Sequence, residues 1–269
     1  MSDLRKHLVV KPGSKVDLSD IDPADTGHLG DKDEAKARLA EDAEAIDVLQ
    51  DRLYAEGKHA LLIILQGMDT SGKDGTIRAV FQATGPLGVT VTAFARPTPE
   101  ELAHDFLWRI HRACPRRGTI GIFNRSQYED VLVGRVRKLA PKDVIEHRYD
   151  QINAFEDMIA SSTTVLKLML HISKKEQGER LQARLDDPHK HWKFDPGDLE
   201  DRELWDEYMG AYERMLSRCS TETTPWYVIP SDKKWARNAT VAAIVRHTLE
   251  EMDPKFPKPE WDAADFEVG

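Results

Sequence analysis

The chain has 269 residues, of which 40% are hydrophobic and 32% charged, and its formal net charge is -9. This balance is typical of a globular protein, and the negative charge argues against a general nucleic-acid-binding or membrane-surface protein. No stretch approaches the roughly 20 continuous apolar residues of a membrane span, so neither a membrane nor a nucleic acid is predicted as a partner.

The chain begins with a polar stretch rich in Gly, Pro and Asp, which predicts an irregular N-terminal arm over residues 1–32. This arm lacks the apolar core and small-residue cleavage site of a signal peptide. The two cysteines, Cys114 and Cys219, form no CxxC motif and no Cys/His cluster. Together these features predict a cytoplasmic protein with two reduced thiols.

Beyond the arm, apolar residues recur with helical and strand spacing in alternation. Helices are predicted at residues 33–56, 76–83, 99–113, 141–160, 174–184, 199–219 and 236–252, and strands at 60–66, 89–95, 119–123, 164–172 and 226–229. Strands that alternate with helices indicate βαβ units and a parallel sheet covered by helices on both faces. The sequence favours a single α/β domain over residues 1–269, with a mobile insertion at 173–198.

A glycine-rich segment, GMDTSGK at 67–73, follows the first predicted strand and matches the G-x-x-x-x-G-K pattern of phosphate-binding loops. Its glycines allow backbone N–H groups to converge on an anion, and the helix that follows adds its positive end. The predicted phosphate-binding residues are Gly67, Ser71, Gly72, Lys73, Asp74, Gly75, Thr76 and Arg78. The alternative is an ordinary strand-to-helix turn with a surface lysine.

Two carboxylates accompany this loop. Asp69 lies inside it, and Asp74 stands where such loops place the Ser or Thr that binds Mg²⁺. Carboxylates repel bare phosphate unless a divalent cation lies between them. We therefore expect Asp69 to hold Mg²⁺, whereas Asp74 is either a metal organiser or an acidic residue stabilised by the helix N-terminus.

The third predicted strand runs into Asn124, Arg125 and, four residues after Arg125, Glu129. In parallel α/β sheets, ligands bind at the carboxyl ends of the strands, where this segment lies. Arg125 could neutralise charge on a transferred phosphoryl group, and Asn124 is a second candidate metal ligand. The alternative is that Arg125 only pairs with Glu129, a surface ion pair that contributes under about 1 kcal/mol.

The insertion at 173–198 is rich in basic residues. Its candidate phosphate-binding side chains are Lys174, Gln177, Arg180, Arg184, Lys190 and Lys193. The first four share one face of a helix, which suits the lid of a kinase that supplies cations and excludes water. A second basic set at 109–117 would extend this row. The alternative is a solvated helix with ion pairs such as Glu176 with Arg180.

Five segments in this order resemble the polyphosphate kinase 2 family: GMDTSGKDGT, FNRSQYEDVL, KKEQGERLQARLDDPHKHWKF, GDLEDRELWDEY and PWYVIPSDKKWARN. The resemblance covers most of the chain from Leu53 to the last helix. It implies a three-layer α/β/α sandwich with the P-loop kinase fold of thymidylate kinase-like enzymes and a helical lid. It also implies Mg²⁺, with Mn²⁺ as a substitute, and a homodimer or homotetramer. Asn124 and Glu129 resemble the class III subgroup, whose members phosphorylate both AMP and ADP.

Carried over residue by residue, the resemblance assigns catalysis to Asp69, Lys73 and Arg125. It assigns the lid cations to Arg180, Arg184, Lys190 and Lys193. Nucleotide binding is predicted at Arg109, Asn124, Tyr128 and Glu129. The predicted reaction is a reversible, Mg²⁺-dependent, in-line transfer between inorganic polyphosphate and AMP or ADP, giving ADP or ATP. Two alternatives are an ATP-dependent nucleotide monophosphate kinase and a non-catalytic phosphate-binding regulator.

Overall fold

The computed structural model describes residues 5–27 and 29–268, and its core is a five-stranded parallel sheet in the order β2-β3-β1-β4-β5. The strands are β1 (Ala60–Gln66), β2 (Val89–Ala93), β3 (Ile120–Asn124), β4 (Thr163–His171) and β5 (Trp226–Pro230). All seven residues of β1 are buried, as expected for a central strand that is covered on both faces.

Eleven α-helices are described within these residues. They are α1 (Arg5–Leu8), α2 (Lys32–Glu56), α3 (Lys73–Val80), α4 (Pro99–Leu102), α5 (Trp108–Ala113), α6 (Val133–Val136), α7 (Lys142–Ala160), α8 (Lys174–Leu185), α9 (Gly197–Glu203), α10 (Trp205–Cys219) and α11 (Lys234–Met252). Short 3₁₀ turns lie at Leu18–Asp20, Gln127–Asp130, Pro188–Lys193 and Ala263–Asp265.

Helices cover the two faces of the sheet and bury separate hydrophobic clusters. On one face, α2, α3 and α11 pack through residues such as Ile46, Val80 and Ile244. On the other face, α7 and α10 contribute residues such as Ile152 and Met215. The three-layer α/β/α arrangement predicted from the sequence is therefore confirmed.

Two long predicted helices are each divided in the structure. The helix predicted at 99–113 is interrupted between α4 and α5, where the Asp105 carboxylate accepts a hydrogen bond from the Leu107 backbone at 3.0 Å. Such an Asx turn competes with helical hydrogen bonding. The helix predicted at 199–219 breaks at Leu204, between α9 and α10. Conversely, α3 begins at Lys73, three residues earlier than predicted.

The N-terminal arm is more ordered than predicted. It contains α1 and a 3₁₀ turn, and it lies along β5: Val9 bridges Tyr227, and the Val10 backbone donates to the Trp226 carbonyl at 2.8 Å. Leu18 is buried in the core. The arm is therefore not irregular throughout. Residues 1–4 and His28 of the predicted arm, and Gly269 at the end of the predicted domain, lie outside the described residues.

Across 5–27 and 29–268, no helix combines the length and the apolar character that crossing a membrane requires.

Candidate active site

The glycine-rich loop at 67–72 connects the end of β1 to α3 and has an unusual backbone. Gly67 and Gly72 have φ values of 146° and 105°, and Thr70 also has a positive φ of 64°. A side chain at Gly67 would place a Cβ only 2.6 Å from the Leu170 carbonyl oxygen. Glycine is thus required at Gly67 for both its φ and its close contact with β4.

Lys73 is the first residue of α3, and its ammonium group points back into the loop. Its Nζ donates to the Gly67 carbonyl at 2.7 Å and to the Met68 carbonyl at 3.2 Å. Burial, together with the nearby charge of Arg125, lowers the pKa of Lys73 to about 8. A phosphate group in the loop would reverse this shift, because an adjacent anion favours the protonated lysine.

Arg125 follows β3 directly and has a φ of 65°, an uncommon value for a residue with a side chain. Its guanidinium group contacts the Asp69 carboxylate and donates to Glu129 Oε2 at 3.2 Å. Burial opposes its charge, but Glu129 and Asp69 outweigh that effect and raise the pKa of Arg125. Arg125 therefore does more than form the predicted surface pair with Glu129: it links the end of β3 to the loop.

Asp198, which the sequence analysis missed, belongs to this group. It lies in α9, contacts Asp69, and accepts a hydrogen bond from Arg184 at 3.2 Å. Burial and the negative charge of Asp69 raise the pKa of Asp198 to about 7. Asp198 falls in the GDLEDRELWDEY segment that resembles the family, but no role was assigned to it, because only the tertiary fold brings α9 beside the loop.

Asn124 and Asp74 are hydrogen-bonded to each other across the site. Asn124 Nδ2 donates to Asp74 Oδ1 at 2.6 Å, and Asp74 occupies the first turn of α3. This position agrees with stabilisation of Asp74 by the positive end of the helix. Because this bond uses the side-chain nitrogen of Asn124, the side-chain oxygen of Asn124 can still bind a metal ion.

The remaining predicted phosphate-binding residues differ in how far they are buried. Ser71 is buried, and its hydroxyl has no hydrogen-bond partner among the described residues. Thr76 is also buried, with Oγ1 at 3.5 Å from Asn238 Oδ1. Gly75 and Arg78 are exposed on α3. Ser71 therefore keeps a buried hydroxyl whose hydrogen-bonding capacity is unused, and Thr76 lies against α11.

Tyr128 does not support its predicted nucleotide-binding role. It is fully buried, and its hydroxyl donates to Glu156 at 2.7 Å and accepts from Lys167 at 3.0 Å. Lys167 and Glu156 form an ion pair of 2.6 Å with both side chains inaccessible to solvent. Tyr128 instead anchors the 3₁₀ turn that carries Glu129, and its ring packs edge-on against Trp226.

The predicted cationic face of α8 is also corrected. Arg180 is buried and donates to the backbone carbonyls of Thr70 at 2.9 Å and Ser231 at 2.7 Å. Gln177 is fully buried and accepts a hydrogen bond from Arg202 at 2.9 Å. Both side chains are therefore committed to the protein interior.

The other cations of the 173–198 segment remain accessible. Lys174, Lys190 and Lys193 are exposed, and Arg184 is half-buried beside Asp198. The second basic set divides between the two ends of the sheet. Arg116 and Arg117 precede β3 and so lie at its amino end, away from the loop. They cannot extend a row of cations that starts at the loop.

Arg109 lines a cavity of about 420 Å³ at the end of β2, together with Phe94, Arg96, Trp108 and Arg112. The Phe94 backbone donates to the carbonyl of the last β3 residue at 3.0 Å, so the cavity adjoins the segment that carries the catalytic candidates. Arg112 stacks over Trp108 at 4.5 Å, and Arg109 lies 5.4 Å from the centre of the Phe94 ring. The cavity thus combines aromatic surfaces with cations.

Residues 29–257 match the sequence model of the family "Polyphosphate kinase 2 (PPK2)". An AMP/ADP-polyphosphate phosphotransferase from Meiothermus ruber is 52% identical over 257 residues, which cover 95% of this chain and 96% of the relative. An ADP-polyphosphate phosphotransferase from Rhodopseudomonas palustris is 40% identical over 270 residues, which cover 94% and 92%.

The crystal structure of polyphosphate kinase 2 from Arthrobacter aurescens TC1 superposes with a TM-score of 0.92 at 45% identity. The match covers 95% of this chain and 93% of that one. The similarity therefore extends over nearly the whole length of both chains, and the P-loop kinase fold predicted from the sequence is confirmed. The chain is an enzyme and belongs to the polyphosphate kinase 2 family.

Proposed function

We propose that this enzyme transfers phosphoryl groups between inorganic polyphosphate and AMP or ADP, giving ADP and ATP. The observation that carries the proposal is the convergence of Lys73, Arg125 and Asp69 at the carboxyl edge of the sheet. Membership of the polyphosphate kinase 2 family favours this function over an ATP-dependent nucleotide monophosphate kinase and over a non-catalytic phosphate-binding regulator.

In the forward reaction, a terminal phosphate oxygen of AMP or ADP attacks the terminal phosphorus of polyphosphate. The bond from that phosphorus to its bridging oxygen breaks, and the shortened chain keeps the bonding electrons. Lys73 and Arg125 stabilise the negative charge on the transferred group, and no covalent enzyme intermediate is required. The reverse reaction would lengthen the chain by one phosphate.

A divalent cation fits the oxygen donors of the site. Mg²⁺ commonly uses one or two carboxylates and completes its shell with substrate phosphates and water. Asp69 would supply the carboxylate, with the side-chain oxygen of Asn124 as the second candidate, and Mn²⁺ would substitute. Since the described residues contain no group of three or more His, Cys, Asp or Glu that could hold a metal, substrate oxygens would complete the shell. The bound ion would neutralise charge between donor and acceptor.

We place the acceptor nucleotide in the cavity beside β3. Arg109 and Arg112 offer positive charge there, and the planar guanidinium of Arg112, which stacks on Trp108, is a surface on which a base can stack. Asn124 ends β3, which lies between β2 at this cavity and β1 at the loop, and Glu129 accepts a hydrogen bond from Arg125. The donor chain would lie under the 173–198 segment, whose accessible cations are Lys174, Arg184, Lys190 and Lys193.

Three further properties belong to this proposal. The chain acts as a single domain over residues 1–269, with the 173–198 segment as its lid. It assembles as a homodimer or homotetramer, as the family resemblance implies. It works in the cytoplasm, a location supported by the free thiols of Cys114 and Cys219.

The donor distinguishes the proposal from its alternatives. Purified enzyme is supplied with ADP, Mg²⁺ and polyphosphate, and ATP formation is followed by luminescence. Matched reactions contain orthophosphate instead of polyphosphate, or AMP with ATP as donor. We expect new ATP with polyphosphate and none with orthophosphate, and we expect no ADP from AMP when ATP is the only donor. Product that forms with ATP as donor, and none with polyphosphate in Mg²⁺ or Mn²⁺, would contradict the proposal.

A further inference from the structure

A second arginine, Arg237 of α11, lies directly behind the phosphate loop. The residue is only 3% exposed, and Nη1 donates to the Ser71 carbonyl at 2.8 Å. The other edge of the guanidinium faces Asn238, whose Oδ1 accepts from Nε at 3.1 Å and from Nη2 at 2.8 Å. All three nitrogens of Arg237 are thus fixed in one plane.

Arg180 reaches the same carbonyl from the other side. Its Nη1 donates to Ser71 at 3.1 Å and to Thr70 at 2.9 Å. Two guanidinium groups therefore hold these carbonyl oxygens on the rear of the loop. Because the C=O and N–H of a trans peptide point in opposite directions, the Gly72 N–H turns away from the arginines and can face an anion in the loop. The Ser71 N–H instead donates to the Met68 carbonyl at 3.0 Å and closes the turn.

The contact between Arg237 and the loop is close. A Cβ added to Gly72 would lie 1.8 Å from Arg237 Nη1, so the guanidinium packs against bare backbone. The second glycine of the loop motif is therefore needed for two reasons, its positive φ of 105° and the room that Arg237 occupies.

The charge of Arg237 is not balanced by the protein. Within residues 5–27 and 29–268, no carboxylate oxygen lies within 4.0 Å of its guanidinium group, whereas Arg180 has Glu176 at 2.8 Å. Burial and the proximity of Arg180 lower the pKa of Arg237 to about 10. A buried cation whose partners are all neutral is costly, and a nearby anion would reduce that cost.

We propose that Arg237 is a positioning residue for the phosphate loop, which orients the Ser71 peptide and leaves a positive charge that a bound polyanion balances. Binding of the donor should therefore stabilise the folded enzyme to an extent that depends on Arg237. The inference rests on the proposed function, because it assumes that the loop binds the phosphates of the donor.

The test compares thermal unfolding of wild type, Arg237→Met and Arg246→Met, each with and without tripolyphosphate. Arg246 lies on the same helix but pairs with Glu250 at 2.8 Å and Asp42 at 3.0 Å, so its variant is a matched control. We expect tripolyphosphate to raise the melting temperature of wild type and Arg246→Met. The rise should be much smaller in Arg237→Met.

Kinetics give a second readout. Arg237→Met should raise the KM for polyphosphate by about tenfold, as expected for the loss of one charge-assisted interaction, with a smaller effect on the KM for ADP. A purely structural role would instead lower the melting temperature with and without tripolyphosphate alike. A wild-type rise in melting temperature and an unchanged KM in Arg237→Met would overturn the inference.

Arg237→Lys covers the case in which the methionine variant does not fold. Lysine keeps the charge but cannot hold the Ser71 carbonyl and Asn238 in one plane, so we expect an intermediate rise in melting temperature. A rise equal to that of wild type would again contradict the inference. Absence of any rise in wild type would instead contradict the proposed donor site itself, and the two failures are thereby distinguished.

Discussion

The phosphate loop and the 173–198 segment both carry positive charge, but they hold it differently. In the loop, Lys73 is buried and bonded to two backbone carbonyls, and the loop is supported from behind by Arg180 and Arg237. In the segment, Lys190 forms a local ion pair with Asp187 at 2.7 Å, and Trp192 is 79% exposed.

This difference suggests that the loop and the 173–198 segment contribute to different steps of the reaction. Charges fixed in advance cost little reorganisation during the reaction, so they stabilise the transition state effectively. Exposed charges on a segment with local contacts can follow a flexible chain and contribute to binding and closure. Substitutions in the loop should therefore lower kcat, whereas substitutions in the segment should mainly raise the KM for polyphosphate.

The largest effect is expected for Lys73→Met. It should lower kcat by about 10³-fold or more, because the charge nearest the transferred group is lost. The melting temperature should stay close to that of wild type, since removing a buried charge offsets the two lost hydrogen bonds. Steady-state kinetics and thermal unfolding measure both effects.

Lys175→Met is the control for this variant, because Lys175 is exposed on α8 and only 3.8 Å from Glu179. It should retain full activity. If Lys73→Met kept substantial turnover, the loop would not be the reaction centre and the comparison between the two regions would fail.

Arg125→Lys should reduce kcat by about 10²-fold, less than the loss of Lys73. Lysine keeps the charge but cannot contact Asp69 and Glu129 at once, as the planar guanidinium does. The KM for polyphosphate should change little. A variant with normal kcat would show that the bridge between β3 and the loop is only structural.

The pH dependence of kcat/KM tests whether Lys73 is buried in the free enzyme. Because the pKa of Lys73 in the free enzyme is lowered to about 8, kcat/KM for polyphosphate should fall as the pH rises through that value. By linkage, a lysine with a folded pKa below its usual 10.5 makes the fold more stable as the pH rises between these values. A kcat/KM that stays constant through this range would contradict the buried setting of Lys73.

The smallest effect is expected in the 173–198 segment. The double variant Lys190→Ala/Lys193→Ala should raise the KM for polyphosphate by about threefold and leave kcat unchanged, because exposed charges contribute little each. Lys36→Ala/Lys58→Ala removes the same charge from exposed sites elsewhere and should leave the KM unchanged. A large fall in kcat for the first double variant would show that the segment, too, is preorganised.

Features that depend on local pattern were predictable from the sequence. The continuous apolar run of β1 and the glycines that follow it located the loop, because the buried strand and the glycine-rich turn are adjacent in the sequence. The alternation of strands and helices likewise predicted the layered fold. The break at Asp105 was missed because a single side-chain hydrogen bond overrides the helical spacing around it.

Features that depend on tertiary burial were not predictable. Tyr128 and Arg180 have the residue types of ligand-binding groups, yet the fold buries one beside Glu156 and the other behind the loop. Asp198 and Arg237 reach the site from helices distant in sequence. Both fall in segments that resemble the family, but the sequence alone assigned neither of them a role. Charge periodicity shows where a helix could present cations, but not whether a neighbouring element covers that face.

The most direct test of the account follows the nucleotides over time when AMP is the sole nucleotide and polyphosphate the sole phosphoryl donor. Wild-type enzyme with Mg²⁺ should form ADP first and ATP later, and Lys73→Met should form neither at a detectable rate. Formation of ADP only after ATP is added, or equal rates in the two proteins, would contradict transfer from polyphosphate at this loop.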